Sequence, residues 1–119
     1  MLVYCLTRDH ELAAAIETRL LQSLAFFYND AARLHQAVTL RAPDLVLVDT
    51  GAVRAEYGDA GLGPVFAFLR EHAPAARLAL RPPAGVGHLA AAEAGSGVEV
   101  LAPDVDGCVG AIVGAVARA

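Results

Sequence analysis

The run Leu45-Val46-Leu47-Val48 constrains the fold more than any other part of this chain. Four consecutive branched aliphatic residues, opened by Pro43-Asp44 and closed after Asp49 by Thr50-Gly51, leave no position suited to face water. Such a strand is buried on both sides, as in a parallel sheet covered by helices. Ligands of open parallel sheets bind just outside the carboxyl ends of the strands, so Asp49 is where chemistry is expected.

The rest of the sequence repeats the same unit. A first strand is predicted over 2–6, and Asp9 is placed to cap a helix over 10–24, with Leu12, Ile16, Leu20 and Leu24 on one face. A second strand over 25–28 leads through Asn29-Asp30, a turn and cap, into a helix over 31–41 that Pro43 stops. After the third strand, Thr50 to Gly63 reads as a long loop above Asp49, because it holds Gly58, Gly61 and Gly63. It is expected to be a variable insertion or a partner-binding element. Pro64 opens a third helix packed through Val65, Phe66, Phe68 and Leu69. A fourth strand over 77–80, a small helix over 86–94, a fifth strand over 98–101 and a last helix over 106–118 complete the pattern. The expected fold is a single (βα)5 domain over 1–119: α/β, flavodoxin-like, doubly wound, with a five-stranded parallel sheet and helices on both faces.

Composition excludes several classes of function. No apolar stretch approaches the roughly 20 residues of a membrane span, and the first residues form a strand without the basic start of a signal peptide. A soluble, cytoplasmic domain with no membrane partner is expected. The net charge of −4, with nine scattered basic residues, argues against direct nucleic-acid binding. All nine are arginine; the chain has no lysine. Cys5 and Cys108 lie in apolar segments and read as buried free thiols. His10, His35, His72 and His88 show no ligand spacing, so neither a metal nor a cofactor is expected.

Over essentially its whole length the chain resembles a bacterial response-regulator receiver domain. The residues that carry the likeness are Pro43-Asp44-Leu45-Val46-Leu47-Val48-Asp49, Glu93-Ala94-Gly95 before the fifth strand, and Leu101-Ala102-Pro103 after it. The resemblance implies strand order 2-1-3-4-5 and a phosphoacceptor at Asp49. It also implies two acids after the first strand that hold Mg²⁺, a small hydroxyl residue ending the fourth strand, and a lysine ahead of the fifth-strand proline. Here those places fall on Thr7 and Arg8, with Asp9 just beyond, on Arg81 and on Ala102. The aromatic switch position falls on or near Glu99.

Each change removes a separate piece of chemistry. Mg²⁺ is held by carboxylates and water, which a threonine and an arginine do not replace. Without the cation, an incoming phosphoryl group would meet the Asp49 carboxylate uncompensated. The expectation is a degenerate pseudo-receiver: not an enzyme, with Asp49 a vestigial phosphoacceptor and Thr7, Arg8 and Asp9 a degenerate acidic pocket. Arg8 or Arg81 is expected to reach Asp49 and stand in for the cation. The partner is expected to be another protein. The small-residue side of the last helix, with Gly107, Gly110, Ala111 and Gly114, is expected to pack on the sheet; a homodimer through residues 86–118 is the alternative use of that side. Two alternatives stand beside this reading: a regulator still phosphorylated on Asp49, and a small flavodoxin-like ligand-binding module.

Overall fold

The computed structural model describes residues 1–21, 23–85, 92, 94, 95 and 97–118. Its strands are β1 (Leu2–Leu6), β2 (Leu24–Tyr28), β3 (Leu45–Asp49), β4 (Arg77–Arg81) and β5 (Val98–Val100). Its helices are α1 (His10–Arg19), α2 (Ala31–Leu40), α3 (Thr50–Tyr57), α4 (Leu62–His72) and α5 (Val105–Ala117), with a 3₁₀ turn over Gly58–Ala60. All strand pairs are parallel, in the order β2-β1-β3-β4-β5. This is the flavodoxin-like α/β arrangement. Of the helix expected over 86–94, only Ala92 and Ala94 are described; His88 and Glu93 lie outside the described residues.

Strand alternation divides the core into two layers. Tyr4, Leu6, Val46, Val48, Leu78 and Leu80 face Leu34 and Val38 of α2, Val53 of α3, and Phe66 and Leu69 of α4. Val3, Cys5, Leu45, Leu47 and Ala79 face Leu12 and Ile16 of α1 and Cys108, Val109 and Ile112 of α5. Every residue of β1 and β3 is buried, so the unbroken apolar runs reflect cover on both faces.

Two predicted elements require correction. The first helix ends at Arg19, not 24, and Leu24 begins β2, where it is 57% exposed on the sheet's outermost strand. A leucine four residues beyond Leu20 continues a helical period equally well on paper, and periodicity alone cannot mark the break.

The larger correction concerns residues 50–63, which are not a loop. Asp49 accepts a bond from the Gly51 N–H at 3.4 Å as the cap of α3, and Thr50, Ala52 and Val53 are buried beneath it. The glycines serve packing and termination. Gly58, at φ 74°, ends α3 in a conformation that residues with a Cβ adopt at a cost. A Cβ on Gly61 would lie 2.7 Å from Val53 Cγ1 and 2.8 Å from Tyr57 Cβ, so the chain can fold back against α3 only where no side chain intervenes. Pro64 sits within the first turn of α4, two residues after its start, where a missing N–H leaves no helical bond unmade.

Candidate functional site

Register alone brings the predicted residues together. Asp49 pairs with Arg81 as the last rung of β3 and β4. Leu6 pairs with Val48, so Thr7 follows at the level of Asp49. Three strand ends thus deliver a hydroxyl, a carboxylate and a guanidinium to one edge of the sheet. Asp9 stands two residues past Thr7 as the cap of α1, its Oδ1 accepting from the N–H groups of Glu11 at 3.0 Å and Leu12 at 3.1 Å.

These four side chains close a hydrogen-bonded ring. Thr7 Oγ1 donates to Asp49 Oδ2 at 2.7 Å and accepts from the Asp9 N–H at 3.1 Å. Arg81 Nη1 donates to Asp9 Oδ2 at 2.8 Å and to Asp49 Oδ2 at 3.3 Å. The same guanidinium is anchored from the other side, since Arg81 Nε donates to the Pro103 carbonyl at 2.9 Å. The Arg81 carbonyl in turn accepts from Thr50 Oγ1 at 2.8 Å. The ring therefore fastens the ends of β1, β3 and β4 to the start of α3 and to the segment leading into α5.

Charge-assisted bonds set the electrostatics. The Arg81 bond, helped by the N–H groups of the α1 cap, holds the Asp9 carboxyl below the usual carboxylate range. Burial works against the Arg81 cation, but the bond to Asp9 and the charges of Asp49 and Asp9 outweigh it and raise its pKa. With the Arg81 side chain 13% exposed and Asp49 12%, the pair is largely withdrawn from solvent. Removing one member would leave the other charged and partly buried without its partner.

The two expected arginines behave differently. Arg81 reaches Asp49; Arg8 does not. Arg8 is exposed and its Nε donates to the Asn29 carbonyl at 2.9 Å on the far side of the edge. Ala102 is half-buried beside the last helix: a Cβ on Gly107 would lie 2.7 Å from Ala102 Cβ, and the Gly107 N–H donates to the Asp104 cap at 2.7 Å. Gly107 is therefore small because the preceding segment crosses it, not because it lies on an outer surface. Ala111 packs against the α1–α5 layer, and Gly114 stands 3.2 Å, by its missing Cβ, from Arg118 Nη1. Gly110 alone of the four is both exposed and open.

Sequence reasoning missed the capture of Arg81 by Asp9 and the Thr7–Asp49 bond. The second spans 42 residues; only the adjoining contact is local, a threonine two residues before an N-cap acid accepting that residue's N–H. The first spans 72 residues and has no local signature.

The Mg²⁺ ion implied by the receiver resemblance does not fit these residues. The guanidinium already bridges the two acids at the edge, with Nη1 bonded to both. No group of three His, Cys, Asp or Glu is arranged to hold a metal among the described residues. Both Asp49 oxygens are hydrogen-bonded: Oδ2 accepts from Thr7 and Arg81, and Oδ1, at the long distance of 3.4 Å, from the Gly51 N–H. A cleft of about 590 Å³ opens beside the ring, walled by Arg54, Pro82, Pro83, Pro103 and Asp104.

The remaining candidates lie elsewhere. Cys5 and Cys108 are free and buried; burial pushes their thiols up to about 12 and about 11, which leaves them protonated and unreactive at neutral pH. His35 and His72 stack on opposite sides of the ring sequence His35–Phe68–His72, with centroids 3.9 and 4.0 Å apart. Among the described residues no helix is long and apolar enough to cross a membrane. No protein-family model matches this chain, and no curated protein matches it in sequence.

Proposed function

We propose that this chain is a pseudo-receiver: a non-catalytic signalling domain of the bacterial cytoplasm that acts by binding another protein and whose state does not depend on Mg²⁺-dependent phosphoryl transfer. The observation that carries the reading is the position of Arg81 Nη1, bonded at once to Asp9 and to Asp49. A guanidinium there supplies the positive charge that a metal would bring. Unlike a metal, it has no open coordination position, and Nη1 already donates to the two carboxylates. The strand order and the spacing of Asp49, Ala94-Gly95 and Ala102-Pro103 support the likeness to receivers.

The partner surface proposed is the outer side of α5, with a second copy of this chain as its occupant. Thirteen residues of α5 include one charged side chain, Asp106, and its exposed positions include Gly110 and Ala117. A helix apolar on nearly all sides is more often covered than free. Light scattering at micromolar concentration should show a species heavier than the 12.3 kDa monomer.

The phosphorylation question has its own experiment. Titration of the ¹⁵N-labelled chain with Mg²⁺ and beryllofluoride, a mimic of an acyl phosphate, should leave the amides of residues 49–51 unmoved. Saturable shifts centred on Asp49 would instead establish a phosphorylatable regulator, in which Arg81 swings off the carboxylate.

A further inference from the structure

The same edge of the sheet holds a second pocket that the proposed function does not use. It lies outside the ends of β1 and β2, has a volume of about 380 Å³, and is lined by Arg8, His10, Asn29 and Arg33 together with Phe27 and Tyr28. We propose that this pocket binds the dianionic phosphate of a small molecule.

Charge is the first ground. In a chain of net charge −4, two guanidinium groups line one cavity. The acid that lines it, Asp9, is compensated by Arg81 and by the first N–H groups of α1. An anion therefore enters a field that the rest of the protein would not provide.

The arginines themselves are the second ground. Arg8 spends only its Nε within the protein, on the Asn29 carbonyl, and its two terminal nitrogens bond no described residue. That bond anchors the planar group across the gap between the β1–α1 and β2–α2 connections, so part of the ordering cost is already met in the free protein. Arg33 contacts Asp30 through Nε at 3.4 Å with 73% of its side chain exposed, and its terminal nitrogens likewise bond no described residue. Two guanidinium forks with open ends match the oxygens of a phosphate, each by paired, charge-assisted bonds.

The apolar lining decides what else the ligand carries. Half-buried Phe27, on the α1 side of the sheet, lines the cavity with Ala13, which gives an apolar wall beside the cationic rim. The size lies at the lower end of small-molecule sites, enough for a phosphomonoester with a compact organic part. Free inorganic phosphate and the phosphate of a mononucleotide share the recognising chemistry, and the experiment separates them.

The ¹⁵N-labelled full chain is titrated in parallel with inorganic phosphate, AMP and adenosine. Saturable amide shifts confined to residues 7–10 and 29–33 are expected with both phosphate-bearing probes. Tighter binding of AMP identifies a phosphomonoester as the preferred ligand; equal binding identifies phosphate alone. Arg8→Gln and Arg33→Gln should each weaken binding about tenfold or more, the size expected for loss of a charge-assisted pair. Both side chains are exposed, so the rest of each variant's spectrum should stay in place. The proposal is overturned by the absence of saturable shifts, by affinities that neither substitution changes, or by adenosine reproducing the AMP shifts.

Discussion

Two parts of the molecule bury polar side chains, and they do it differently. At the carboxyl edge of the sheet, Thr7, Asp9, Asp49 and Arg81 satisfy one another in a ring. Between α2 and α4, His35 stacks on Phe68 while its buried Nε2 meets no hydrogen-bond partner among the described residues. A satisfied network ties separate elements together and holds its charges over a wide pH range. An unsatisfied group in an apolar setting is tolerated only while it is neutral. The difference teaches which of the two regions specifies the shape of the domain and which one acid will disturb.

The sharpest way to break this contrast is Arg81→Ala. It strands two carboxylates and releases the Pro103 carbonyl, and we expect a loss of about 3 kcal/mol in urea unfolding, the cost of removing one partner from a buried ion pair. A variant as stable as the parent would show that the ring holds nothing. Next in size, Thr7→Val keeps the volume but removes a donor to Asp49 and an acceptor for the Asp9 N–H. It should cost about 1–2 kcal/mol by the same measurement.

The two regions should also separate along the pH axis. Burial lowers the His35 pKa below its ordinary value, so the unfolded chain binds the proton more readily than the folded one. Stability is then intact above about pH 6.5 and declines as the pH falls through that value. His35→Phe should flatten this part of the profile without altering the ring. Asp9 acts lower on the scale. Its depressed pKa contributes stability that is present above about pH 4 and is lost as the pH drops further, and Arg81→Ala should remove the larger part of that component, leaving the part held by the N–H groups of Leu12 and Glu11. A midpoint near pH 6.5 that survives His35→Phe would assign the acid sensitivity elsewhere. The smallest effect is reserved for Arg8→Ala, within about 0.5 kcal/mol, because this arginine is exposed and outside the ring. Equal losses for Arg8 and Arg81 would erase the distinction between them.

Much of the architecture could be read from residues alone, for identifiable reasons. The runs in β1 and β3 are apolar at every position because helices cover both faces, and that pattern survives any uncertainty about ends. Asp9 and Asp30 announced their caps, since a short acid before an apolar-periodic segment has few other uses. Helix α3 was illegible. Its buried residues are small (Thr50, Ala52, Val53), and its neighbouring glycines look like a loop until Gly61 is seen pressed against Val53 and Tyr57. The candidate site divides in the same way. That Asp49 ends β3 follows from the run before it, and that Arg81 could reach it follows from neighbouring strands.

Local sequence thus determined the strand-and-helix grammar, the two-sided burial of the sheet and the location of Asp49 at its carboxyl edge. Each of these depends on residues within a few positions of one another. Tertiary structure decided the rest: that Arg81 and not Arg8 turns inward, that Asp9 shares it, and that Arg8 and Arg33 face one pocket. Those outcomes depend on groups as many as 72 residues apart meeting at distances near 3 Å. Strand register and helix packing set such distances, and no local pattern encodes them.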